Sequence, residues 1–397
     1  DKAGNVVLYR DASGNETTYV YDGLGRIARE TDAFGDRSIT YDAAGDNVTT
    51  VDRNGRRTDR EYDRAGQLRA EIWFDANGVQ TDRLEYEVDA VGRRVGATQG
   101  DIVVALELLD AASRRLASQR LAFGQTVIHV DHDLDALGQS RRDAYTLGDA
   151  AAPFVATTYE RPTDSNKLTG IVQTGTFASD KRIELEYASD LPNTLEEITR
   201  RNSAGSEVSS STWDYDGRKL LESITHRGDP GVIDTLPYEF FADRQVRSIA
   251  ESAGTTTYVY DAENQLTGAD YGGRETNEGF DYDESGNPDG VEFVIGAMNR
   301  LESDGERTYA YDAEGNIVSS TILATGEITT YTWDNRNRLL SATHAQADGD
   351  VLWRMTHEYD ALDRRVRQTI AYAASAGSPL ATVDDRLHSF DGEYLAS

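Results

Sequence analysis

The sequence predicts an all-β protein: one long antiparallel sheet of repeated β-hairpins. Three observations lead there. A seven-residue phrase recurs along the chain, as "YDGLGRI" from Tyr21, "YDAAGDN" from Tyr41, "YDRAGQL" from Tyr62 and "YDAEGNI" from Tyr311. Between the copies run β-favouring stretches broken by Asn-Gly and Asp-Gly turns, a strong short-range hairpin signal. Only seven prolines interrupt 397 residues, as uninterrupted ladders require.

One unit reads as two strands and two turns. Tyr19, Val20 and Tyr21 form a β-favouring run. Asp22 then stands three residues before Gly25. Asp suits the first position of a type I turn, and Gly suits the left-handed position that closes a three-residue hairpin with a bulge. Arg26 to Glu30 is the returning strand. A second turn follows, "DAFGD" at Asp32, and elsewhere "RNGR" around Asn54 or "ANGV" around Asn77.

The aromatic or apolar residue before the Asp anchors each copy. Sixteen anchors result, spaced 20 to 31 residues apart, a variation that hairpin loops tolerate. The clearest copies are Tyr21–Asp22–Gly25, Tyr41–Asp42–Gly45, Tyr62–Asp63–Gly66, Tyr282–Asp283–Gly286 and Tyr311–Asp312–Gly315. Four more keep the anchor and the Asp: Tyr215–Asp216, Tyr260–Asp261, Trp333–Asp334 and Tyr359–Asp360. Val88, Leu109, Leu134 and Phe390 mark looser copies, and Tyr159, Tyr187 and Phe240 degenerate ones. "LELLDAASRRLASQRL" also has helical periodicity, but its "DAASRRL" at Asp110 matches "DAVGRRV" at Asp89, so it reads as strand, turn, strand.

The residue two before the anchor is large as well, as in Tyr19/Tyr21, Trp213/Tyr215, Tyr258/Tyr260 and Tyr331/Trp333. Such pairs share a strand face, so stacked copies are expected to form ladders of aromatic neighbours. Sixteen units give about 32 strands, well beyond the roughly ten at which open sheets curl or split. The sheet is therefore expected to wind on itself.

Composition bounds the function. The chain is 38% hydrophobic and 28% charged, a globular balance. A net charge of −30 repels phosphate backbones and argues against nucleic acid as a partner. No run of about 18 apolar residues spans a membrane. Without cysteine, disulfide frameworks and thiolate metal sites are excluded. Both ends resemble interior repeats and there is no initiator Met, so residues 1–397 read as one continuous array cut from a longer protein, with no separate catalytic domain.

"YVYDGLGRI", "YVYDAENQL", "YAYDAEGNI" and "HEYDALDRRV" resemble the YD repeats of the Rhs (rearrangement hotspot) family, found in bacterial polymorphic toxins, in the B and C subunits of insecticidal toxin complexes, and in teneurins. The resemblance implies a sheet strip spiralling into a hollow shell or arc around an inactive toxin domain. It also implies secretion or display at the cell surface. The implied partners are the rest of the same polypeptide, including a cargo domain, with secretion machinery or a cell-surface protein or carbohydrate in addition. The self-cleaving Asp-rich segment of the toxin members is absent here; "GDPG" at Asp229 is the sole Asp-Pro.

No constellation for chemistry stands out. His129 and His132 in "HVDH" fall on opposite strand faces, which disfavours a shared metal. "DESGN" at Asp283 and "DAEGN" at Asp312 lack the distal Glu of a calcium loop and read as turns. The sequons at Asn15 and Asn47 fall at turns. The expectation is a non-enzymatic shell segment without cofactor or metal; the alternative is an extracellular adhesion module.

Overall fold

The hairpin around Asp22 sets the pattern for the chain. Strand Glu16–Tyr21 pairs antiparallel with Ile27–Asp32, and the register shifts between Val20 and Tyr21. The same shift precedes Tyr41, Tyr62, Tyr215, Tyr260, Tyr311, Trp333 and Tyr359. An extra residue opposite the anchor is a β-bulge, which increases local twist. Where glycine closes the turn it holds the left-handed conformation: φ is +78° at Gly25, +75° at Gly66, +80° at Gly286 and +95° at Gly315. The turn demands it, because a Cβ is strained there.

A computed structural model describes residues 1–109, 116–162, 166–176, 180–189, 191, 193–229, 231–375, 377–387, 389–391 and 394–396. The turn expected at 110–115, Pro230 and His388 lie outside them. Strands hold 58% of the described residues, against about 20–25% in an average protein. Ile102–Leu109 and Leu116–Phe123, which flank that turn, are strands. Among the described residues the one helical element is the 3-10 turn Ala297–Asn299. Every described pairing joins consecutive strands antiparallel, as in Gly35–Tyr41 with Asn47–Val51, giving sheets of 24, nine and two strands.

One expectation is corrected by this topology. Strand Ile27–Asp32 lies between Glu16–Tyr21 and Gly35–Tyr41. Consecutive anchors are therefore two strands apart, roughly 9–10 Å, too far for a ladder of touching rings. Ring contacts are scattered instead: within a strand between Tyr238 and Phe240 (centroids 6.4 Å apart), across paired strands between His344 and Trp353 (5.4 Å), and between a turn and the next anchor at Phe241 and Tyr260 (6.3 Å).

The chain forms two compact units. The first comprises Asp1–Leu106, Arg120–Val127 and Tyr282–Ser397, the second Glu107–Gln119 and Ile128–Asp281. The first has two small apolar clusters, Trp73, Leu84, Tyr86, Ala97 and Ala361, and then Ile102, Val104, Leu121 and Val366. In the second, Val130, Ala144 and Tyr145 are buried. The accessible surface is 22,908 Å², against roughly 15,000 Å² for one compact body of this mass and roughly 18,500 Å² for two of half the mass. The sheet faces stay wet because the strands carry Thr, Ser, Arg and Glu where a solid core would need aliphatics.

A Cβ built on Gly25 meets nothing within 4 Å, so replacing Gly25 isolates backbone strain. Gly25→Val is expected to destabilise its hairpin by about 1–2 kcal/mol. Gly23→Val, in the same turn without positive φ, serves as control. Amide exchange of Glu16–Asp32 measures both; equal effects would refute the turn assignment.

Candidate functional site

In the clear copies one carboxylate organises the repeat turn. The Asp22 carbonyl accepts the Gly25 N–H at 3.1 Å, and the Asp22 N–H donates to the Arg26 carbonyl at 2.8 Å. Its Oδ1 accepts the N–H groups of Leu24 (2.8 Å) and Arg26 (3.0 Å), and its Oδ2 accepts Arg26 Nε (2.7 Å). Oδ1 of Asp42, Asp63, Asp216, Asp261, Asp283, Asp312, Asp334 and Asp360 takes the N–H four residues on in the same way. These donors act on acidity. The backbone N–H of Arg26, Gln67 and Leu220 holds the carboxyls of Asp22, Asp63 and Asp216 below the usual range, and the Asn287 amide does so for Asp283.

Where the anchor carries a hydroxyl or indole N–H, it can tie its copy to the one before it. Tyr41 OH donates to the Ile27 carbonyl (2.9 Å), Tyr62 OH to Asn47 (3.0 Å) and Tyr359 OH to Leu339 (2.9 Å). Ile27, Asn47 and Leu339 each lie five residues after the Asp of the preceding turn. Trp333 reaches the equivalent carbonyl, Ile317, through its indole N–H at 2.8 Å. Guanidinium groups cover the rings: Arg26 lies 4.1 Å from the Tyr41 centroid and Arg338 4.7 Å from that of Tyr359. Both arginines stand four residues after a turn Asp, so one side chain caps its own turn and shields the next anchor.

Neighbouring turns are also joined directly. Where an Asn or Asp replaces the closing glycine, it keeps the left-handed backbone, with φ +68° at Asn264, +58° at Asn337 and +68° at Asp363. Its side-chain oxygen accepts from the residue four beyond the previous turn's first position. Gln245 donates to Asn264 (3.2 Å), Asn316 to Asn337 (2.9 Å) and Arg338 to Asp363 (3.0 Å). The short polar side chain thus repays the strain of its backbone.

Within the first unit, turns from residues 282–363 interlock with residues 11–99. Asn15 accepts the Met298 N–H at 2.8 Å, and Asn299 donates to Asp11 at 2.9 Å. Asn54 donates to Asp312 Oδ2 at 2.9 Å and accepts the Ala313 N–H at 2.9 Å. Arg56 donates to the Asp334 carbonyl at 2.6 Å. Arg336 donates to Tyr86 OH at 2.6 Å beside the Trp73 cluster. At the centre sits Glu314, its side chain 1% exposed, paired with Arg37 and accepting the Arg53 N–H at 2.7 Å. Arg53 also pairs with Glu30 and, at 2.8 Å, with Asp32. Burial would raise the Glu314 carboxyl, but the Arg53 N–H and the Arg37 guanidinium outweigh it and hold the group low.

His132 meets Asp143 at 2.7 Å across two paired strands. A cleft of about 580 Å³ in the first unit is lined by Gln99, Phe123, Arg338, His357, Tyr359 and Arg367, among others. Its arginines are committed, Arg338 to Asp334 at 2.6 Å and Arg367 to Asp385 at 2.7 Å. Among the described residues, no group of three or more His, Asp or Glu side chains is placed to hold a metal. The arrangement consists of turns, clasps and an interlocked seam.

A family model described as RHS Repeat matches residues 1–37 and 311–351. These two stretches are RHS repeats. Two solved structures share the fold of this chain: TcdB2-TccC3-Cdc42, at 16% identity and TM-score 0.67, and TcdB2-TccC3-TEV, at 16% identity and TM-score 0.68. Each likeness covers 94% of this chain and 23% of the other, so the chain spans under a quarter of their length. No curated protein matches the sequence.

The residue four after each Asp escaped the sequence reading. In eight turns it is Arg26, Arg56, Arg93, Arg338 or Arg364, or Asn15, Asn287 or Asn316, each bonded to its own turn carboxylate. The available signal was the recurrence of Arg or Asn at that offset.

Tyr62→Phe removes one clasp and no packing. It is expected to cost about 1 kcal/mol, the net worth of one hydrogen bond, read from chemical unfolding; no loss would mean the Asn47 carbonyl finds water instead. Glu314→Gln is expected to cost about 1.5–3 kcal/mol at neutral pH, as for hydrogen bonds to charged groups. Because the folded carboxyl lies below its ordinary 4.5, its stabilisation is present above pH 4.5 and fades as pH falls through the lower folded value. The gap between wild type and Glu314→Gln should therefore close on acidification, and a gap independent of pH would refute the assignment.

Proposed function

We propose that this chain is a non-enzymatic wall segment of an RHS-repeat shell that encloses and shields a cargo domain lying outside it. The observation that carries the proposal is the wetness of the sheet: its accessible surface exceeds that of two compact bodies of the same total mass. A strip with so little interior is suited to bounding space rather than filling it. The repeat-to-repeat clasps and the Glu314 seam make such a wall stiff with only small apolar clusters inside it. The fold shared with TcdB2-TccC3 structures supports the same role. On this reading the partners are the remainder of the polypeptide, the site of action is secreted or at the cell surface, and the 397 residues work as one array.

Protease protection tests it. In the full-length polypeptide, the cargo domain should resist digestion while the seam holds. It should become sensitive in an Arg53→Ala/Glu314→Ala variant that retains β-type circular dichroism. Cargo cut as fast in the intact protein as when expressed alone would overturn the proposal. Binding of the intact protein to cells without cargo protection would favour the adhesion reading instead.

A further inference from the structure

The chain contains two Asn-Gly pairs in matching turns, Asp52-Arg53-Asn54-Gly55 and Asp75-Ala76-Asn77-Gly78. Both glycines have φ near +80° (+77° and +80°) and donate their N–H to the first Asp carbonyl at 3.0 Å. The surroundings differ. Asn54 is half-buried, with its amide nitrogen on Asp312 and its amide oxygen on the Ala313 N–H, each at 2.9 Å. Asn77 is exposed, and its side chain has a single long contact of 3.4 Å to Asp75 in its own turn.

We propose that Asn77 is a site of spontaneous deamidation, and that the seam suppresses the same reaction at Asn54. The Gly78 backbone nitrogen attacks Cγ of Asn77, loses its proton and expels the amide as ammonia. Water then opens the resulting succinimide to aspartate or isoaspartate. At Asn54 the carboxamide must first leave both partners before it can rotate onto the Gly55 nitrogen. Opening two hydrogen bonds corresponds to roughly 30-fold slowing, about 2 kcal/mol. The consequences also differ. A carboxylate at 54 would set an oxygen against Asp312 Oδ2 beside buried Glu314, whereas one at 77 would face solvent.

Peptide mapping by mass spectrometry of protein aged in mildly alkaline buffer tests this. Asn77 should acquire the amide-to-acid mass gain roughly 30-fold faster than Asn54, and the two rates should converge in denaturant. Equal rates in the folded protein, or a difference that persists in denaturant, would overturn the proposal. As a second readout, Asn54→Asp should lower the thermal midpoint and Asn77→Asp should leave it unchanged; the reverse order would also overturn it.

Discussion

A chain that reverses direction every few residues leaves backbone N–H groups unpaired at each reversal, and such groups are costly unless satisfied. In this protein a single Asp carboxylate answers that demand. Its Oδ1 binds the N–H groups two and four residues ahead, as Asp22 does for Leu24 and Arg26. The rest depends on it: the glycine falls in the left-handed region, the bulge forms at the anchor, and the next strand leaves in register. The text between copies is free to drift because none of it sets the reversal.

What turns separate hairpins into a sheet strip is contact at two further offsets. The anchor hydroxyl reaches the carbonyl five residues past the preceding Asp, and the side chain four past that Asp reaches the next turn or the next ring. Each contact joins nearest neighbours only. Stability then accumulates copy by copy, as in other repeat proteins. Apolar burial supplies less than usual, which explains how strands as polar as Arg57–Tyr62 ("RTDREY") persist in a folded chain.

Much of this was legible in the sequence, since the decisive interactions are local. An Asp with a Gly three residues later states its turn outright, and alternating β-formers state the strands. Aromatic spacing was legible too, but its meaning was not. Pairs such as Tyr19/Tyr21 suggested stacked rings, and only the strand lying between consecutive anchors shows why the hydroxyl matters instead. The seam was illegible for a different reason: Glu314 and Arg53 are 261 residues apart, and nothing local distinguishes Glu314 from the solvent-facing Glu263 at the same place in its own turn.

The seam also imposes a count. The turns at Asp312, Asp334 and Asp360 meet Asn54, Arg56 and Tyr86 in ascending order on both sides, like the teeth of two racks. A hairpin gained or lost between residues 62 and 86, or between 315 and 333, would throw every later tooth out of phase. One gained within 128–281 would leave the meshing untouched. A sequence that is free to vary in spelling is thus held to a fixed number of words in one stretch and released from it in another.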